Sequence, residues 1–445
     1  MNRKLLLNVL RIVVSVGLIA YVCSKIQLDD ALVRAGGNPK KPDYVGRLIA
    51  GEKGPEQFGL KTRGGDVVHL SAAQLLRDAD GRLIGVQRGI VTVFSDLDLR
   101  WFVPAFLVVG LVPTIGAVRF RWLLAVQGVH ITLGRSFALT FLGNFFNNFM
   151  LGLTGGDVVK AYSVARETHK RTEAVITVFL DRIVGLVALV LLAALMVAAN
   201  IRDPKFAGAA LYVWIFLIGA IFIALTLYSR WLRHKVHYTI FGVLAVGGSF
   251  ILWWRAREKG WDGVQLETYA LVALLAVAGL FAFVRPLRLL FQLDKFRMWL
   301  ARNKMVREMD ATFSTFSRAP RTSVFALIIS VACHVTTIVG IYGYARALGI
   351  SQVPFNYYLV FVPVIVMIAA MPVSLAGWGV QEAVFQVFFG TVGVNATEAV
   401  TMSFVYRLCY GILWSLPGGV VMMLSKERTS PAEAAEAVEE AQGDL

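Results

Sequence analysis

Apolar residues fall in long blocks along this chain, several of them near the roughly 20 residues that a helix needs to cross a hydrocarbon core. Blocks at 5–22, 101–118, 175–199, 209–228, 238–254, 269–284, 323–344 and 399–424 predict membrane-spanning helices. Two further segments, 136–165 and 357–390, are apolar but interrupted by glycine, proline and polar residues. Residues 27–98 have a different character. Short β-type runs at 44–49, 67–70 and 83–94 alternate with turn signals such as Gly64-Gly65-Asp66 and Asp80-Gly81. The pattern predicts an all-α polytopic membrane protein with about eight spanning helices, two oppositely oriented re-entrant hairpins, and a small β-rich extracytoplasmic insertion. The expected division is a first transmembrane helix in 1–26, the insertion in 27–98, a transmembrane domain in 99–424 and an acidic cytoplasmic tail in 425–445.

Composition agrees with a membrane protein. Of 445 residues, 57% are hydrophobic, and the mean hydropathy is +0.64. A basic start precedes the first block, but Ala20-Tyr21-Val22 is a poor cleavage site, so the block reads as a retained helix. The net charge of +15 would point to nucleic acid in a soluble protein. Here the basic residues mark cytoplasmic loops instead, and no nucleic-acid partner is expected. Cys23, Cys333 and Cys409 lie far apart in or beside apolar runs and offer neither a disulfide framework nor a metal-ligand spacing. No metal or cofactor pattern is present. His334 sits deep in an apolar run, where a helix–helix hydrogen bond and a proton relay are the two available roles.

Charge placement sets the expected topology. The basic clusters are Arg3/Lys4, Arg119/Arg121/Arg135, Lys160/Arg166/Lys170/Arg171, Arg230/Arg233/Lys235, the stretch 285–321, and Lys426/Arg428. All fall on the cytoplasmic side if 136–165 enters from the cytoplasm and returns there, while 357–390 enters from the opposite face. Each limb of the first segment has about 15 residues, or about 22 Å of helix, short of the roughly 30 Å core. Both termini are then cytoplasmic, and the membrane is the cell inner membrane. The stretch 285–321 interleaves basic and bulky apolar residues. It reads equally as an interfacial amphipathic helix or as a connecting helix.

The interrupted segments also carry the candidate chemistry. Gly155-Gly156-Asp157 is followed 25 residues later by Arg182, and Glu382, three residues beyond the last glycine of Gly377-Trp378-Gly379, is followed 25 residues later by Arg407. Charged residues at membrane depth each cost about 2.5–3.5 kcal/mol on insertion scales, so two such sets call for an explanation. Around the first set stand Asn144, Asn147, Asn148, Thr154 and Asp181; around the second stand Ser374, Gly377, Gly379 and Tyr406. One reading makes these residues the walls of a headgroup cavity, with helix-end N–H groups and guanidinium groups meeting a phosphate. The other makes the asparagines interhelical glue, Asp157 a helix cap, and each acid–arginine set a structural ion pair.

Three motifs in order give a family resemblance: Asn-Asn-Phe-x-x-Gly-x-x-Gly-Gly-Asp-Val-Val-Lys-Ala-Tyr at 147–162, Phe-Leu-Asp-Arg-Ile-Val-Gly-Leu at 179–186, and Pro-Val-Ser-Leu-Ala-Gly-Trp-Gly-Val-Gln-Glu at 372–382. Together the chain resembles the lysylphosphatidylglycerol synthase transmembrane-domain family, also described as flippase-like, which includes the membrane half of the multiple peptide resistance factor proteins. The chain departs from the usual motif at Gln381, where Arg is common, and at Leu153, where Pro or Gly is common. The resemblance implies movement of a phospholipid or lipid-linked headgroup between leaflets. Its alternatives are a membrane-embedded aminoacyl or glycosyl transferase acting on a lipid phosphate, or a partner subunit of a lipid-modifying enzyme. Implied partners are membrane lipids with a phosphate-containing headgroup, with a homo-oligomer or a separate lipid-modifying enzyme left open. About twenty residues follow Leu424, where the resistance-factor proteins carry an aminoacyltransferase domain, so the chain is not expected to synthesise lysyl-lipid by itself.

Overall fold

The computed structural model describes residues 3–38, 42–49, 57–77, 81, 83–149, 155–199, 206, 213, 319–370, 374 and 377–424. The spans expected at 209–228, 238–254 and 269–284, the basic stretch 285–321 and the tail 425–445 lie outside the described residues, apart from Val213 and residues 319–321. So do Thr154 and Pro372.

Helix α1 covers Arg3–Cys23 and leads into a five-stranded antiparallel sheet. Its strands are β1 Asp30–Leu32, β2 Tyr44–Ile49, β3 Gln57–Thr62, β4 Val67–Ser71 and β5 Val86–Gln87, in the spatial order β4-β3-β2-β1-β5. The β2–β3 pair sets Gly46 opposite Thr62 and Leu48 opposite Leu60. Leu32, Leu60, Leu70 and Leu75 form the small core beneath it. The run 83–94 departs from the strand expected there. Only Val86–Gln87 pairs, and Ile90–Ser95 is a helix, α2. Its physical cause is Asp30, whose buried carboxylate accepts the Gly89 N–H at 2.7 Å and the Thr92 hydroxyl at 2.8 Å. A tertiary partner for the first turn thereby outweighs the β propensity of Ile90, Val91, Thr92, Val93 and Phe94.

The sheet module is tied to the helical body through its edges. The Gln27 N–H donates to Thr397 Oγ1 at 2.9 Å, and Arg88 Nε donates to Glu398 Oε1 at 2.9 Å. Arg88 also donates to the Leu348 carbonyl, and the Asp98 N–H to the Ala347 carbonyl at 2.9 Å.

The body contains α3 Leu99–Val126, α4 Leu133–Phe149, α5 Gly155–Arg166, α6 Arg171–Ala199, α7 Pro320–Ala347, α8 Phe355–Ala369, α9 Val380–Gly390 and α10 Ala396–Tyr406. A π-helical turn, Arg407–Ile412, and a 3₁₀ turn, Leu413–Ser415, join α10 to α11 Leu416–Leu424. Among the described residues, four helices are long and apolar enough to cross a membrane: Leu99–Val126, Arg171–Val197, Arg321–Ala347 and Ala396–Leu424. The described residues are thus mostly helical, with several membrane-length helices and a small antiparallel sheet.

Two pairs of shorter helices match the interrupted segments. Helices α4 and α5 have 17 and 12 residues, and α8 and α9 have 15 and 11. At 1.5 Å per residue each falls short of a core of about 30 Å. Small residues let the long helices approach closely. A Cβ at Gly340 would lie 2.1 Å from Val109 Cγ2, and one at Gly343 would lie 2.7 Å from Ala105 Cβ, so α7 meets α3 almost backbone to backbone. The principal core is aromatic where α8 meets α9: the Tyr358 and Phe389 rings are 5.0 Å apart, and those of Phe361 and Phe388 5.2 Å.

Candidate functional site

Asp157 occupies the first turn of α5, where a carboxylate faces the positive end of the helix dipole. Arg182, on α6, meets it side-on. Its Nε lies 2.8 Å from Asp157 Oδ2, and its terminal nitrogen donates to Oδ1 at 2.9 Å. The sequence offset of 25 residues is therefore a real contact. Helices α4 and α5 are held together at the end that carries Asp157. The Gly156 N–H donates to Asn147 Oδ1 at 3.0 Å, which caps α5 from the end of α4. A Cβ at Gly156 would lie 1.8 Å from the Gly143 carbonyl oxygen. Backbone cannot yield as a flexible side chain does, so Gly156→Ala is expected to pry α4 from α5 and cost about 1–3 kcal/mol. A lowered thermal midpoint in detergent checks this; an unchanged midpoint would contradict the contact.

A second charged group forms around Asp181, the residue before Arg182 on α6. Asp181 is buried and accepts Arg119 Nε at 2.7 Å. Arg119 in turn donates to the Ser330 hydroxyl of α7 at 2.8 Å, joining α3, α6 and α7. On the other side of Asp181, Lys160 Nζ stands 3.6 Å from Oδ2 and 3.5 Å from the centre of the Phe120 ring. Asp157 and Lys160 are three residues apart on α5 and share a face. Adjacent Asp181 and Arg182 point to different partners, as the helix geometry requires.

These groups border a cavity of about 290 Å³ between α3, α4, α5, α6, α7, α8 and the Tyr406–Tyr410 turn. Asn144, Asn147, Asp157, Asp181, Arg182 and Tyr406, all singled out in the sequence, line it. Tyr406 stacks on Tyr410 with ring centres 5.5 Å apart. His334 also lines it and donates its ring Nε2–H to the Gly185 carbonyl at 2.9 Å, the helix–helix hydrogen bond open to it from sequence. Burial separates the two acid–arginine sets. The Arg182 side chain, which lines this space, is 52% exposed, whereas Arg407 is 8% exposed.

The second set is closed on itself. Glu382 Oε1 accepts Arg407 Nε at 2.9 Å, and Glu382 Oε2 accepts the Gly379 N–H at 2.8 Å, capping α9. Arg407 also donates to the Gly377 carbonyl at 3.0 Å and to Gln381 Oε1 at 3.2 Å, and stands 4.6 Å over the Trp378 ring. Gly377 and Gly379 make this possible with φ of 74° and 80°, a region that other residues enter at a cost. A side chain at Gly379 would also meet Leu18 of α1, 2.5 Å away. Glu382 and Arg407 do not line the cavity.

The remaining sequence candidates take supporting places. Asn148 donates to the Asn144 carbonyl at 2.8 Å, and its Oδ1 packs 3.1 Å from where a Cβ would stand on Gly411. Gly155 opens α5. Ser374 is fully buried, its hydroxyl without a hydrogen-bond partner among the described residues. Sequence reasoning missed Arg119, Lys160, Thr140 and Tyr410, which all line the cavity. Arg119 and Lys160 were read as loop charges marking the cytoplasm, yet their side chains are 12% and 7% exposed. The available signals were the position of Arg119 beside an apolar span and the i,i+3 spacing of Lys160 from Asp157.

Apolar helices of membrane length, packed around a cluster of three cations and two carboxylates, define an integral membrane protein with a charged cavity. The chain belongs to the family described as the lysylphosphatidylglycerol synthase TM region, whose model matches residues 84–243 and 234–418. It is similar to the UPF0104 membrane protein of Pyrococcus horikoshii, with 24% identity over 346 residues that cover 77% of this chain and 92% of the relative. No solved structure matches the chain.

Proposed function

We infer that this protein translocates a phospholipid or lipid-linked headgroup between leaflets. The observation that carries the reading is the half-exposed Arg182, held by Asp157 at the edge of a charged cavity whose surroundings are apolar helices. A guanidinium placed in this way keeps donors free for a phosphate, and the acyl chains stay in the bilayer. Irregular backbone at membrane depth is tolerated where it is buried or lines a wet space. The α4–α5 and α8–α9 pairs fit that rule as re-entrant hairpins entering from opposite faces. In this reading the chain has about eight crossings, both termini are cytoplasmic in the cell inner membrane, and the sheet module is extracytoplasmic.

The test is lipid translocation in proteoliposomes. Fluorescent phosphatidylglycerol in the inner leaflet becomes accessible to dithionite only after it crosses. Wild-type protein is expected to exceed empty liposomes, and Arg182→Ala to lower the protein-dependent rate by about tenfold, the worth of one good charge-assisted contact. Equal rates for wild type and empty liposomes would remove the reading. Equal rates for wild type and Arg182→Ala would remove Arg182 from it.

A further inference from the structure

We propose that the cavity binds one singly charged phosphodiester-class anion, and that Lys160 is the cation that turns from Asp181 to meet it.

The charge count sets the stoichiometry. Among the described lining residues, Arg119, Lys160 and Arg182 oppose Asp157 and Asp181, which leaves one positive charge in excess. An unbalanced charge in an apolar surrounding is costly, and a single incoming negative charge removes the imbalance. A dianion would reverse it, and a neutral headgroup would leave it.

Geometry decides which cation is able to turn toward the anion; Arg182 meets it only with the donors that Asp157 leaves unused. Arg119 is fixed, with Asp181 at 2.7 Å and Ser330 at 2.8 Å. Arg182 is fixed by two contacts to Asp157, at 2.8 and 2.9 Å. Lys160 differs. Its nearest carboxylate oxygen is 3.6 Å away, beyond the 2.7–2.9 Å of a charge-assisted hydrogen bond, and it makes no hydrogen bond among the described residues. An ammonium group has three donors on a flexible stem, and here the Phe120 ring face supplies partial compensation. Asp181 keeps Arg119 when Lys160 leaves, so the transfer strands no carboxylate. A second observation lies on the cavity wall. Thr140 is 8% exposed, and its hydroxyl has no hydrogen-bond partner among the described residues. A buried hydroxyl without a partner is uncommon, and an anion held by Lys160 would accept its proton.

The anion's source is either a lipid headgroup or free phosphate, and equilibrium binding distinguishes the two. Protein purified in a phosphate-free detergent is titrated with dihexanoylphosphatidylglycerol, with dihexanoylglycerol as the uncharged counterpart, and with inorganic phosphate as competitor, at a mildly acidic pH where phosphate is mainly the monoanion. The phosphodiester lipid is expected to bind at least about tenfold more tightly than the uncharged one. Lys160→Met is expected to remove about tenfold of that affinity and to leave the uncharged lipid unaffected, while Lys160→Arg retains affinity within about threefold. Competition by inorganic phosphate supports the proposal with a free anion as sufficient ligand; its failure to compete supports the proposal with the lipid as source. Equal wild-type affinity for the two lipids, or unchanged affinity in Lys160→Met, would overturn it. If Lys160→Met does not fold, Thr140→Val takes its place: a loss of about threefold supports the proposal, and no loss overturns it. The proposal rests on the headgroup reading for the ligand's source alone. Intact Lys160-dependent binding without translocation would count against translocation and not against the anion site.

Discussion

Asp181→Asn is expected to be among the most damaging single changes in the helical body. It removes the carboxylate between Arg119 and Lys160, whose side chains are 12% and 7% exposed. Breaking a buried pair by deleting one partner costs about 3–5 kcal/mol, because the other charge remains buried without compensation. Here two cations are left. The substitution conserves volume, so the effect reads charge and not packing. A fall in the thermal midpoint of purified protein measures it. Adding Lys160→Met to Asp181→Asn is expected to restore part of the loss, since one of the stranded cations is gone. Equal midpoints for the single and double variants would show that Lys160 does not share the Asp181 charge.

Glu382→Gln is expected to have a comparable cost for a different reason. Glu382 serves two elements at once: Oε1 holds Arg407 and Oε2 caps α9 through the Gly379 N–H. Glutamine keeps one acceptor but presents an amide where a carboxylate oxygen is needed. Either the cap or the arginine contact is lost, and Arg407 stays buried at 8% exposure. The expected cost is about 3–5 kcal/mol. Hydrogen exchange supplies a sharper readout than the midpoint. Protection is expected to fall at 379–384 and at 404–410 together, as the two segments share one carboxylate. Loss at the helix start alone would mean that Arg407 keeps its place through Gly377 and Gln381.

The apolar blocks made the helices legible because a membrane helix buries its side chains all round and needs no fine period. Both acid–arginine pairs were legible for a related reason: few charges stand in these blocks, so an equal offset had few competitors. Depth was harder to read. A basic residue at the end of an apolar block looks the same in sequence whether it faces water or a carboxylate, and Arg119 and Lys160 were misassigned for that reason. The cavity needed tertiary convergence, with Arg119 from α3, Lys160 from α5 and Asp181 from α6, which no local pattern encodes. Strand β3 did carry a signal, since Phe58 and Leu60 alternate with Gln57, Gly59 and Lys61, but it is short. The helix at Ile90–Ser95 carried none, because its cause is a carboxylate about 60 residues upstream.

The π-helical turn Arg407–Ile412 holds one residue more than an α-helical path would need. Such a turn is what a one-residue insertion leaves in a helix whose two flanks are already committed to their neighbours. Both flanks here are committed. Upstream, Arg407 is bound to Glu382, and downstream a Cβ on Gly418 would stand 2.1 Å from the Phe141 carbonyl oxygen of α4. A loss of one residue between them would rotate α11 by about 100° against α4. The two flanks therefore fix the number of residues between Arg407 and Gly418, and a one-residue deletion in this segment is expected to cost more than a substitution at any single position within it.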